Sequence, residues 1–138
     1  MTSRRDARRT AIDILYQSDI TASDPSEVVR SWTETGRDVP PFAAELVAGV
    51  DEHLPEIDLL LEEHTEGWTV ARLAALDRTI MRVAVFELLH RTDVPPSVAI
   101  SEAVEAASEL SAERASRFVN GVLARIATEL GPSSGGAG

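Results

Sequence analysis

A chain of 138 residues, 43% hydrophobic but only 4% aromatic, is the size of one domain with an aliphatic core. It contains no cysteine, which excludes a disulfide framework and a thiolate metal site. The net charge of −10 argues against nucleic acid until its distribution is examined, because all 13 basic residues are arginine and they are clustered. Arg4, Arg5, Arg8 and Arg9 form one island and Arg114, Arg117 and Arg125 another, whereas Glu45 to Glu66 holds eight acidic residues and no basic one. A phosphate polymer is accommodated only where those islands meet. No apolar run approaches the ~18 residues that span a bilayer. The basic start is not followed by the apolar segment of a signal peptide, so a cytoplasmic protein with no membrane contact is expected.

Ser3 is placed to cap a first helix running to about Asp19, with Ala7, Ala11, Ile14 and Leu15 inward. Asp24-Pro25-Ser26-Glu27 combines an N-cap, a proline at the first helical position and a capping-box glutamate. The helix it starts carries Val28, Val29 and Trp32 and stops near Gly36. Pro40-Pro41 begins a third helix with Phe42, Leu46, Val47, Val50 and Leu54 inward; Pro55 kinks or breaks it before Ile57, Leu60 and Leu61 continue the apolar face. After a junction at Thr65-Glu66-Gly67, Thr69 is expected to cap a short helix and Asp77 another, whose core side carries Ile80, Met81, Ala84, Val85, Leu88 and Leu89. Asp93 to Pro96 is a stop and restart, and the next helix ends near Leu110. Ser111 is expected to cap the last helix and Gly131-Pro132 to close it, with a disordered low-complexity tail over 131–138. No segment alternates like a strand. The expected fold is all-α, about seven helices in one domain over 1–130, arranged as two packed three-helix sub-bundles (about 1–66 and 67–130).

Catalytic signatures are missing. His53, His64 and His90 share no metal-ligand spacing, no glycine-rich phosphate loop or nucleophile elbow occurs, and the acidic runs read as solvated helix faces. Neither an enzyme nor a bound cofactor or metal is expected. The first arginine island opposes the helix macrodipole, which favours anions at this end, so either it is a solvated start or a polyanion offsets it. Tyr16 lies on the stripe of Arg5, Arg9 and Ile12 and adds a ring face, while Asp6 interrupts the run. In the final helix Ala115, Phe118, Val119, Val122, Leu123, Ile126 and Leu130 make an apolar stripe bordered by Arg114, Arg117, Gly121 and Arg125. Phe118 at the edge of that stripe reads as core or as a stacking platform. Gly121, next to Asn120 in mid-helix, implies close approach by a neighbouring helix or by RNA, with helix packing favoured.

Three segments carry a family resemblance: RRDARRTAIDILYQ (4–17), DRTIMRVAVFELLHRTDVPPSVAISEAVEAA (77–107) and FVNGVLARI (118–126). Together they resemble the NusB family of bacterial transcription antitermination factors. The resemblance implies two helical sub-bundles and binding of single-stranded boxA RNA in nascent ribosomal RNA transcripts. It further implies a heterodimer with NusE, a small-subunit ribosomal protein, that joins the RNA polymerase elongation complex with other Nus factors. Carried to this chain, RNA contacts fall to Arg4, Arg5, Arg8, Arg9, Tyr16, Arg117, Phe118 and Asn120, and the partner-facing surface to Asp77, Arg82 and Glu87. Asp6 stands where many members have a basic residue, and whether Trp68 supplies a further aromatic contact is open. Self-association through the RNA-facing surface is a further expectation. Two alternatives stand beside this reading: a helical protein–protein adaptor, and the NusB-like module that rRNA cytosine methyltransferases carry with a cofactor-binding domain.

Overall fold

The computed structural model describes residues 3–67 and 69–131, and among these every regular element is helical. Helix α1 spans Arg4–Thr21, α2 Pro25–Glu34, α3 Pro41–Glu52, α4 Leu54–His64, α5 Ala75–His90, α6 Pro96–Leu110 and α7 Glu113–Leu130, with a single 3₁₀ turn at Val70–Arg72. The Ser3 hydroxyl accepts the N–H of Asp6 and the Asp24 carboxylate that of Ser26, so both expected N-caps form. Helix α1 outruns its expected end and closes on Ala22 in the left-handed conformation, φ 54°, whose N–H returns to the Ser18 carbonyl.

Proline placement divides the remainder. Pro41, Pro55 and Pro96 all lie in the first turn of a helix, where the missing N–H has no intrahelical partner to lose. Pro55 therefore begins α4 rather than kinking a longer helix, and His53 is the hinge residue shared by α3 and α4. Three expected caps are corrected. Thr69 makes no cap hydrogen bond; α5 begins two residues before Asp77, with Ala74 at the N-cap; and Ala112 rather than Ser111 precedes α7. Asp77 lies inside the first turn, where its charge still complements the helix dipole. Gly131, φ 78°, ends α7, and the rest of the expected tail lies outside the described residues.

Helix α5 is the axis of the molecule, packing against α1, α3, α4, α6 and α7. Its buried residues run almost without interruption from Thr79 to Glu87, because it is covered on several sides rather than one. Gly49 of α3 lies against the Phe86 ring so closely that a Cβ there would overlap it. Helix α6 buries only alanines, Ala99, Ala103, Ala106 and Ala107, so α5 and α7 approach its backbone. Every helix contributes buried apolar side chains to one continuous core. Through that core passes one charged pair: Arg8 of α1 donates from Nε and Nη2 to Glu87 of α5 at 2.9 and 2.8 Å, with both side chains buried. The fork geometry satisfies both ions and pins α1 to α5 in a single register.

Candidate nucleic-acid interface

The first basic island lies along α1 but does not stand free. Arg4 donates to Asp93 at 3.0 Å and covers the Phe42 ring at 4.3 Å. Arg5 reaches two carboxylates of α6, with Nη2 at 3.0 Å from Glu102 and 2.6 Å from Glu105. Arg9 donates to Glu109 at 3.1 Å. Glu102, Glu105 and Glu109 are spaced i, i+3 and i+7 and so share one helix face, opposite the arginine row. The pairing moves titrations in the direction charge predicts. Hydrogen bonding to Glu102 raises the Arg5 guanidinium further, and hydrogen bonding to Arg9 lowers the Glu109 carboxyl below its usual range. Asp93 is held well below the usual carboxylate range, first by Arg91 and then by Arg4.

Arg8 and Glu87 require correction as contact residues. Expected on the RNA face and the partner face respectively, they are instead buried against each other, with 7% and 2% of their surface exposed. The hydrophobic spacing of α1 places Arg8 beside Ala7 and Ala11, on the side that meets α5. Tyr16 is exposed farther along α1. Close to it the indole Nε1 of Trp32 donates to Gln17, and Arg37 stacks on the Trp32 ring at 3.3 Å. Burial raises the Asp13 carboxyl while Arg37 and Arg9 oppose that shift, so both cations lie within reach of Asp13. The Arg37–Trp32 stack escaped the sequence reading because its two members lie at opposite sides of a helix end, without periodic spacing.

The second island differs. Neither Arg114 nor Arg117 has an ion pair or hydrogen bond among the described residues, while Arg125 donates to the His64 carbonyl at 2.8 Å. Phe118 is 37% exposed at the edge of the α7 stripe, whereas Val119, Val122, Leu123 and Ile126 are buried, so it is not plain core. Its ring borders two clefts. One of about 680 Å³ is lined by Arg72, Leu73, Asp77, Arg114 and Ala115 among others. The other, about 360 Å³, lies among Thr65, Glu66, Arg117, Gly121 and Arg125. The favoured explanation of Gly121 is overturned here. Among the described residues no neighbouring helix presses on it; a Cβ would meet the Arg125 guanidinium at 3.6 Å, and the glycine lines the second cleft. Asn120 is exposed on the same helix. Arg9 reaches Glu109 near the end of α6, and Arg114 follows in sequence across the short α6–α7 corner.

On the remaining surface Arg82 donates to both oxygens of Asp58 at 2.8 Å, and Arg78 pairs with Asp19, tying α5 to α4 and α1. Asp77 lines the larger cleft, with its Oδ1 buried and lacking a hydrogen-bond partner among the described residues. Trp68 lies outside the described residues. Two groupings bring histidine and carboxylate together, His53 with Glu56 and His90, and His64 with Glu63 and Glu129. In the first, the imidazoles stack at 3.9 Å with planes 25° apart, so their in-plane lone pairs do not converge, and Glu56 accepts from His90 at 2.9 Å. Among the described residues, nothing in this surface assembles a nucleophile with a base. The geometry offers cations, ring faces and open clefts, which suit binding rather than chemistry.

Comparison with known proteins agrees with that geometry. The sequence profile of the NusB family matches residues 5–128. A transcription antitermination protein NusB from Saccharopolyspora erythraea is 47% identical over 131 residues, covering 92% of this chain and 88% of the relative. The solved NusB of T. maritima superposes with a TM-score of 0.87 at 33% identity, over 97% of this chain and 96% of that one. A chain from the solved complex of antitermination factors NusB and NusE with double-stranded RNA matches with a TM-score of 0.81 at 29% identity, over 91% of this chain and 96% of that one. This chain belongs to the NusB family.

Proposed function

We propose that this chain is a non-catalytic, RNA-binding transcription antitermination factor that binds single-stranded boxA RNA of nascent ribosomal transcripts together with NusE and joins the RNA polymerase antitermination complex. Its place of action is the bacterial cytoplasm. The observation that carries the site is the α7 edge, where Arg114 and Arg117 form no ion pair among the described residues and the exposed Phe118 borders two open clefts. Arginine supplies a planar fork for phosphate and a ring supplies a face for an unstacked base, the two elements a single-stranded site needs. Membership of the NusB family and the likeness to a NusB–NusE complex holding RNA support the same reading. Arg4, Arg5, Arg9, Tyr16 and Asn120 extend the RNA path, and Arg37 on its Trp32 ring prolongs it past Tyr16. Asp77 and Arg82 belong to the NusE-facing surface, while Arg8 and Glu87 act through the fold.

Fluorescence titration of labelled boxA RNA with and without NusE, against a scrambled RNA of equal length, tests the proposal. Tighter binding to boxA, strengthened by NusE, is expected. Phe118→Ala should weaken binding by about 1–3 kcal/mol, the worth of one base stack, and Arg117→Glu should weaken it with a shallower salt dependence. Unchanged affinity in both variants would take the RNA path off α7. A chain that binds NusE but discriminates no RNA would instead be a protein–protein adaptor.

A further inference from the structure

We propose that the carboxylate row of α6, Glu102, Glu105 and Glu109, is a built-in competitor for RNA phosphate that holds the arginine row of α1 closed and leaves α7 as the site of first contact. The inference rests on the RNA-binding reading above and goes beyond it by assigning a role to residues that touch no RNA in that reading.

Three observations carry it. Each exposed arginine of α1 already has a carboxylate partner: Arg4 has Asp93, Arg5 has Glu102 and Glu105, and Arg9 has Glu109. The Arg5 fork is fully engaged, because Nε, Nη1 and Nη2 all donate to Glu102 or Glu105. Arg114 and Arg117 on α7 have no such partner among the described residues, so the two islands differ in readiness although their sequences look alike. A phosphate approaching Arg5 or Arg9 therefore either displaces a carboxylate or lies beside one and is repelled. Phosphate at α7 has no carboxylate to displace from Arg114 or Arg117 among the described residues, although Asp77 and Glu66 line the adjoining clefts. The row is the protein's own polyanion, with charges at helical spacing facing cations at helical spacing.

The pairs are shallow enough to open. Glu105 and Glu109 keep 43% and 53% of their side-chain surface exposed, and Arg5 keeps 52%. An exposed pair of this kind shifts an equilibrium by a factor of about 1.5 to 5. Two of them together thus hold down affinity by between about twofold and about thirtyfold, enough to suppress phosphate binding by α1 alone without blocking it once α7 or a partner has fixed the RNA nearby. Glu102 is the inner member, 3.9 Å from the buried Arg8, and also supports the fold.

The test uses the full chain with Glu105→Gln/Glu109→Gln, and Glu27→Gln/Glu34→Gln as a control of equal charge change on α2. Retention on heparin reads exposure of the arginine row to any polyanion, and titration with boxA RNA and with a scrambled RNA reads its consequence for RNA. The α6 variant should elute from heparin at higher salt than both wild type and control. It should bind both RNAs about two to thirty times more tightly. Arg5→Glu/Arg9→Glu should cost more affinity in the α6 variant than in wild type, because only there is α1 open. An α6 variant no tighter than the α2 control on heparin and on RNA overturns the competitor. Increased heparin retention with no RNA binding by any of the proteins overturns the RNA reading, with the masking of α1 upheld.

Discussion

Arg8 shows how one residue type carries opposite roles within five positions. Arg4, Arg5 and Arg9 lie at the surface of α1, whereas Arg8 enters the core and meets Glu87 in a two-pronged hydrogen bond. Removing one partner strands a buried charge, at a cost of about 3–5 kcal/mol, while replacing both with apolar residues of similar volume is close to neutral. Arg8→Met alone and Glu87→Leu alone should each lower the stability measured in urea by about that amount, and the double variant should recover most of the loss. Additive losses would mean that the two side chains stabilise the fold through separate contacts. RNA affinity should be unchanged in the refolded double variant, because neither side chain reaches the surface.

At the scale of the helix, glycine has two uses here. Gly49 of α3 exists because Phe86 occupies the space a side chain would fill, whereas Gly121 of α7 lines a cleft with room for a Cβ beside Arg125. Gly121→Ala should stabilise the fold by about 0.5–1 kcal/mol, since the helix has room for a methyl group and alanine is the better helix former. The same substitution should weaken RNA binding by crowding the cleft between Arg117 and Arg125; an affinity equal to wild type in a stabilised protein would leave the cleft without a role. The seven helices were legible because period 3.6, proline at first turns and the Ser3 and Asp24 caps are local signals. Asp77 and Ser111 have cap chemistry and so attract the cap assignment, yet the exposed Ala74 and Ala112 precede the two helices and neither supplies a side-chain cap hydrogen bond. The same limit applied to the arginines. Spacing places Arg5 and Arg9 on one stripe, but only the packing of both α1 and α6 on α5 sets Glu102, Glu105 and Glu109 against them.

For the whole molecule, one core shared by all seven helices bears on how the halves respond together. The seam near Gly67 divides the chain into helices before and after it, but α5 packs on α1, α3 and α4 as well as on α6 and α7. We propose that the two halves unfold as one cooperative unit, with acid as the instructive denaturant. Asp93 and Glu109 titrate below their ordinary values when folded, because Arg91 and Arg4 hold the first and Arg9 the second. Their stabilisation is therefore fully present above the ordinary carboxylate range and is lost as pH falls through that range toward the lowered values. Asp93→Asn should therefore be less stable than wild type at neutral pH and converge with it in acid. Circular dichroism at 222 nm and tryptophan fluorescence from Trp32 and Trp68, followed through the same acid titration, should trace one coincident transition. Two separated transitions would mean that helices before and after Gly67 melt independently, and that the contacts of α5 with α1 and α3 do not couple them.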